Sequence, residues 1–376
     1  MIYLDNAATT YPKPECVYKA LDIANRNAFN TGRGSYKVAR EQSAVVDNVR
    51  MKLLKISKMD NADVIFTSSA TSALNAILLG IEYKEGDNIY ISPFEHNSVI
   101  RVLEAVKNKY NINIIQIPFD KKTWNVNEEE LKNLFVLNKP KTIILSHVSN
   151  VTGLLLPYEL LFRLGKKYNS INVLDSSQAF GIVNIEEASN IDFIVFAGHK
   201  SLYASFGIAG FIKRKSESLK KYIFGGNGSD TMNPNMPDFG YAAYEAGSPN
   251  IVAISGLNAS IDWILKENIY EEEKNNTNYL ISELSKLDKV KIFIPEKNKE
   301  KIIGIVSIGV DGYSSDEVGK ILDDEFDISV RTGFHCAPFV HDFIDSMEYN
   351  GTVRISLSHF TSKEDIDYLI KALKTL

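Results

Sequence analysis

Apolar residues recur along the chain in two alternating rhythms. Between Ala44 and Leu54, Val45, Val46, Val49, Leu53 and Leu54 fall at near-helical spacing and predict an amphipathic helix. Beyond it, short apolar runs alternate with longer helical segments. Val64–Phe66, Ile89–Ile91, Ile114–Ile117, Thr142–Leu145, Val173–Leu174 and Phe193–Phe196 each read as a buried strand, with Ser72–Leu79, Ser98–Lys109 and Tyr158–Tyr168 as helices between them. Strands spaced by helices predict an α/β fold with a mostly parallel sheet covered on both faces. Such a sheet receives ligands beyond the carboxyl ends of its strands.

The rhythm changes after Pro249. One long helical stretch, Ile251 to about Leu287, leads into strands at Val290–Phe293, Ile305–Val310, Ile328–Arg331 and Val353–Ser356, and a helix closes the chain from Ser362 to Leu376. This predicts a smaller α+β C-terminal domain joined to the large one through a helix. The expected division is 16–254 for the large domain, and 1–15 with 255–376 for the small one. Phe224–Phe239, rich in Gly, Asn, Asp and Pro, reads as a surface loop. No internal repeat or low-complexity tract appears.

Composition narrows the function classes. The 376 residues are 44% hydrophobic and 24% charged, with a net charge of −5 dispersed along the chain. No Lys/Arg stripe with interleaved aromatics is present, so nucleic acid is not an expected partner. Cys16 and Cys336 are the two cysteines, in neither a disulfide framework nor a zinc-type spacing, and no metal is expected. The opening MIYLDNAATT has no secretory n-region or h-region. No apolar run approaches the roughly 20 residues that span a bilayer, so no membrane association is expected and the location is read as cytoplasmic.

Chemistry enters at the strand ends. Lys200 follows the predicted strand Phe193–Phe196 through Ala197-Gly198-His199. An ammonium is costly to bury, and a desolvated amine is a nucleophile toward an aldehyde; the plainer reading is a lysine that snorkels to water. Asp175 ends another predicted strand, where an acid can face a pyridinium nitrogen or simply cap a helix. Thr67–Ser72 turns from a strand into a helix and offers free N–H groups to a phosphate, or only a capping cluster. His96 ends a further strand, where an imidazole can stack on a planar ring. Together these strand ends supply groups for the phosphate, ring face, ring nitrogen and aldehyde of pyridoxal 5'-phosphate.

Cys336 follows a predicted strand and a glycine turn, beside His335 and near Arg331. Nearby positive charge favours the nucleophilic thiolate; the alternative is a buried structural thiol. Cys16, at an expected helix start, reads as incidental.

The motifs YLDNAATT (3–10), SNVTG (149–153), DSSQA (175–179), GHK (198–200), EAGSPN (245–250) and RTGFHCAP (331–338) carry a resemblance over essentially the whole chain. The chain resembles the class V aminotransferase superfamily and, within it, the cysteine desulfurases related to NifS and SufS. The resemblance implies the type I fold of pyridoxal-phosphate-dependent transferases and the conversion of L-cysteine to L-alanine, with sulfur passing to Cys336 as a persulfide. It implies that Lys200 binds the cofactor and moves protons, that His96 stacks on its ring, and that Asp175 and Gln178 meet the ring nitrogen and hydroxyl. Ala70, Thr71 and His199 would hold the phosphate, joined by Ser248 from a partner subunit. Asn150 and Arg354 would bind the substrate carboxylate, with Arg331 in the same role beside the thiol and Arg33 reaching a neighbouring site. A homodimer and a sulfur-acceptor protein follow as partners.

The chain departs from the family pattern at Ser69-Ala70, at Ala197, over Ser201–Phe206 and at Phe334. These departures keep other readings open: a selenocysteine lyase acting on L-selenocysteine, another class V aminotransferase or lyase, or a cofactor-poor sulfur carrier.

Overall fold

A seven-stranded sheet forms the centre of the chain, and all but one of its strands run the same way. The structure, a computed structural model, describes residues 1–27, 30–31, 34–228 and 232–376. After a short first strand, β1 (Ile2–Tyr3), come β2 (Ala62–Thr67), β3 (Asn88–Ile91), β4 (Asn113–Gln116), β5 (Pro140–Ser146), β6 (Ile171–Asp175), β7 (Phe193–Ala197) and β8 (Ala209–Arg214). Their order across the sheet is β2-β8-β7-β6-β5-β3-β4, and β8 is antiparallel to both of its neighbours. All five residues of β7 are buried, as expected where helices cover both sheet faces and no polar alternation is needed. The helices Ala70–Gly80 and Asn97–Tyr110 extend the predicted segments by a turn or less and turn apolar residues such as Leu74, Ile77 and Leu103 inward.

A second sheet, of four antiparallel strands, contains β9 (Val290–Ile292), β10 (Ile305–Val310), β12 (Arg331–Gly333) and β13 (Thr352–Ser356) in the order β12-β13-β10-β9. Its helices Ser315–Phe326 and Lys363–Leu373 each begin with a reciprocal capping box, Ser314 with Glu317 and Ser362 with Asp365. The N-terminal strand β1 pairs in parallel with β11 (Ile328–Ser329), which stitches the start of the chain to its last third.

Two expectations are corrected. The single helix from Ile251 is two, Ile251–Ile264 and Ile269–Leu284. After buried Ile261 and Ile264, the next position on that face is Asn268, which stands instead at the start of the second helix. The strand Ile328–Arg331 is divided between β11, paired with β1, and β12, paired with β13, because the chain changes partner at Val330. The helix Glu128–Leu137 was not anticipated; Asn127 caps it by accepting from the Glu130 amide. The described part of Phe224–Phe239 contains no helix or strand. Among the described residues, no helix is long and apolar enough to cross a membrane.

Candidate active site

The parallel strands deliver their following residues to one cleft, lined by Ala70 and Thr71 after β2, His96 after β3, Asn150 after β5, Asp175 at the end of β6 and Lys200 after β7. Gly198 permits the turn before the lysine, since a Cβ there would meet the Ile208 carbonyl at 2.5 Å. The Lys200 pKa is lowered to about 8, chiefly by desolvation, with Arg354 and Arg331 acting in the same sense and Asp175 and Cys336 in the opposite one. An amine so placed is far easier to deprotonate than a surface lysine.

Asp175 is buried, and one of its oxygens accepts from both the hydroxyl and the amide of Ser177, at 2.5 and 3.1 Å. Part of the capping alternative therefore holds, though across a tight turn and not a helix. His96 caps the helix Asn97–Tyr110 through Nδ1, which accepts the Ser98 amide at 3.0 Å. Burial first, then Lys200 and nearby arginines, lowers its pKa to about 4. The ring is thus neutral, and the amide bond at Nδ1 assigns its proton to Nε2. At the helix Ala70–Gly80, Ser69 caps the start by accepting the Ser72 amide, while Ala70 and Thr71 open onto the cleft at the positive end of the helix dipole. His199 stacks on Phe206 at 4.5 Å, and its Nδ1 is buried without a hydrogen-bond partner among the described residues.

Cys336 is exposed, which removes the buried-thiol alternative. Its sulfur lies 3.5 Å from Nη2 of Arg331, and its carbonyl accepts the Asn97 amide at 2.7 Å. His335 and Cys336 both adopt positive φ, +47° and +57°, a conformation that non-glycine residues hold only when their surroundings impose it. The surroundings are visible: His335 is buried with Nε2 on Thr352, and Asn150 Nδ2 donates to the His335 carbonyl at 2.8 Å.

The remaining residues singled out in the sequence fall in three places. Gln178 lines the cleft but donates its amide to the Ala7 carbonyl. Arg354 is buried at 1% exposure, with Nη2 on Asp5 at 2.6 Å and Nη1 on the Asn150 carbonyl at 2.9 Å. Ser248 lines a different cleft of its own chain, with Arg50, Tyr241 and Glu245. Arg33 lies outside the described residues. Sequence reasoning missed Ser177, Asp5 and Glu95. The first two stand inside motifs already singled out, whereas Glu95, fully buried and accepting from Ser92 and Ser146, carries no signal apart from its place before His96.

A strand-end lysine with a depressed pKa, an acid on the neighbouring strand and a helix start turned to the same cleft define an α/β enzyme site. The aminotransferase class V family model matches residues 2–369, and the chain belongs to that family. It is 28% identical over 393 residues to a probable cysteine desulfurase of Vibrio cholerae, covering 99% of this chain and 93% of the relative. It is 29% identical over 395 residues to a cysteine desulfurase of Wigglesworthia glossinidia brevipalpis, covering 99% and 92%. Among solved structures, the apo cysteine desulfurase of Thermococcus onnurineus NA1 superposes with a TM-score of 0.90 at 27% identity, covering 100% of this chain and 94% of that one. An Escherichia coli cysteine desulfurase, at 22% identity and a TM-score of 0.84 over 99% of this chain and 94% of that one, shares the fold.

Proposed function

We propose that the chain is a pyridoxal-phosphate-dependent cysteine desulfurase that takes sulfur from L-cysteine onto Cys336 and releases L-alanine. The observation that carries this reading is an exposed cysteine sulfur, 3.5 Å from an arginine, on a loop bonded to the helix start that carries His96 into the Lys200 cleft. The residues present fit the cofactor. Lys200 supplies an amine for its aldehyde and Asp175 an acid for its ring nitrogen. The N-terminus at Ala70 and Thr71 suits a phosphate, and the orphaned Nδ1 of His199 leaves a buried polar atom for a partner to satisfy. When bound, the cofactor serves as a sink for the electron pair released at the substrate α-carbon.

The chain's own residues do the rest. Lys200, with its lowered pKa, takes the α-proton and returns it to carbon. Neutral His96, with its proton on Nε2, would stack on the bound cofactor's ring. Asn150 and Arg354 hold the substrate carboxylate, and Arg331 places positive charge beside the sulfur. The Cys336 sulfur forms an S–S bond to the substrate sulfur as the substrate C–S bond breaks. L-Cysteine and the enzyme thiol thereby become L-alanine and the enzyme persulfide, with no external oxidant. Ser248 and Arg33 serve a partner subunit's site in a cytoplasmic homodimer, a sulfur-acceptor protein removes the product, and the chain divides into 16–254 and 1–15 with 255–376.

Incubation of the purified protein with L-cysteine, followed by mass measurement of the Cys336 peptide, tests the reading. One added sulfur on Cys336, absent in Cys336→Ala, supports it. Sulfide release undiminished in Cys336→Ala would refute it in favour of a lyase.

A further inference from the structure

Asn150 has two bonding duties in the structure that substrate binding does not use. Its side-chain amide donates to the carbonyl of His335, the residue before the reactive cysteine, at 2.8 Å. Its backbone carbonyl accepts Nη1 of Arg354 at 2.9 Å. Asn150 is 7% exposed, and it lines the Lys200 cleft. Because the His335 carbonyl can only accept, the group facing it is the NH2, which carries a second N–H.

The loop it holds cannot keep its shape by local preference. Two successive residues, His335 and Cys336, lie in the left-handed region, at φ +47° and +57°. Such backbone relaxes unless contacts hold it. Among the described residues, the contacts that hold it include the Asn97 amide on the Cys336 carbonyl, the Ala337 amide on the Phe334 carbonyl, the His335 ring on Thr352, the His341 ring beside Phe334 and His335, Arg331 on the Cys336 sulfur, and Asn150. Asn150 is the one among these that also lines the cleft where a substrate would lie.

We propose that Asn150 is a positioning residue that ties the Cys336 loop to the occupancy of the cleft. One amide N–H holds the His335 carbonyl and the other is offered to an α-amino-acid carboxylate. An amino acid in the cleft then fixes the Asn150 side chain, and through it the backbone that carries the thiol. This rests on the reading of the cleft as an amino-acid site and extends it to the motion of the nucleophile. The coupling is reciprocal: whatever orders the loop also strengthens carboxylate binding.

Hydrogen exchange on the holoenzyme, read by mass spectrometry, tests the tie. In Asn150→Ala, the amides of 333–337 and of Asn97 should exchange about tenfold faster than in the parent, as expected for loss of one buried hydrogen bond. The core strand β5 should keep its rate. L-Alanine should slow the same loop amides in the parent and leave them unchanged in Asn150→Ala. Unaltered loop exchange in the variant, or no response of the parent to L-alanine, overturns the proposal. Should Asn150→Ala loosen the whole chain, Asn150→Asp is isosteric and has no N–H to donate. Loop exchange that rises no more than that of β5 in that variant also overturns it. Exchange requires no turnover, so a protein that releases no sulfide but shows both responses keeps the tie and loses the desulfurase reading alone.

Discussion

The carbonyl of Cys336 accepts the backbone N–H of Asn97 at 2.7 Å, so Cys336 is anchored to the first residue of the helix that His96 caps. An imidazole and a thiol from segments far apart in sequence thereby share one reference point. The bond can be removed without touching a side chain of the cleft. Asn97 is the first helical position, where proline is well tolerated, and His96 already has the extended backbone (φ −76°, ψ 157°) that a following proline requires. Asn97→Pro should therefore leave thermal stability within about 1 kcal/mol of the parent. Sulfide release from L-cysteine should fall by about tenfold or more, because displacement of a nucleophile by even an ångström is costly. Melting temperature and turnover measured on one preparation check both halves.

Lys200 gives a prediction for the cofactor-free protein. Its pKa falls from 10.5 to about 8 on folding, chiefly through desolvation. Between these values the unfolded chain binds more protons than the folded one, so stability rises with pH across that window, and below it the buried ammonium is a standing cost. Since the side chain is partly open to the cleft, the cost is on the order of 1–2 kcal/mol. Lys200→Met should melt higher than the cofactor-free parent at neutral pH, and the gap should close as pH rises. A gap that widens with pH would contradict this account.

The sheet was legible because burial on both faces leaves long apolar runs. Val173–Leu174 and Phe193–Phe196 announce β6 and β7, and the residues that follow them, Asp175 and Lys200, fall on the ligand side by topology alone. What the local pattern could not disclose are contacts between distant segments. The pairing of Asp5 with Arg354, the seat of the His335 carbonyl on Asn150, and the placement of Ser248 in a separate cleft each depend on where the chain returns to itself. The break at Asn268 was hidden for another reason: apolar residues resume at once in Ile269, and a count of hydrophobic positions passes over the shift in phase.

Glu95 titrates in the opposite sense to Lys200. Full burial raises its pKa from 4.5 to about 7, with Asp175 adding to the effect and bonds from Ser92 and Ser146 working against it. Between these values the folded state binds more protons than the unfolded state, so this group's contribution to stability declines as pH rises through the window. Glu95→Gln cannot titrate. Its stability relative to the parent should improve from about pH 5 to about pH 8, by up to about 3 kcal/mol. Denaturant unfolding at the two pH values reads the difference directly, and a change of opposite sign would exclude Glu95 as a carboxyl held protonated in the core.

Asp5 and Arg354 join the two ends of the chain behind Asn150, whose carbonyl accepts Nη1 of Arg354. The guanidinium is 1% exposed and donates to Asp5 at 2.6 Å, while its Nε is buried without a partner among the described residues. An arginine that already bears a carboxylate is not a free anion receptor; Asp5 fixes the plane of the guanidinium and balances part of its charge while substrate is absent. Removing that partner leaves a buried cation uncompensated, which costs about 3–5 kcal/mol in fully buried pairs and less here because the Asp5 side chain is 22% exposed. Asp5→Asn should therefore lower the melting temperature, and it should raise KM for L-cysteine more than it lowers kcat, because the misoriented guanidinium serves the carboxylate and not the sulfur. Added L-cysteine should restore part of the lost stability by supplying a second carboxylate to the same site. An unchanged KM in a folded Asp5→Asn protein would remove Arg354 from the substrate site and leave the pair as a structural bridge between the segment after β1 and β13.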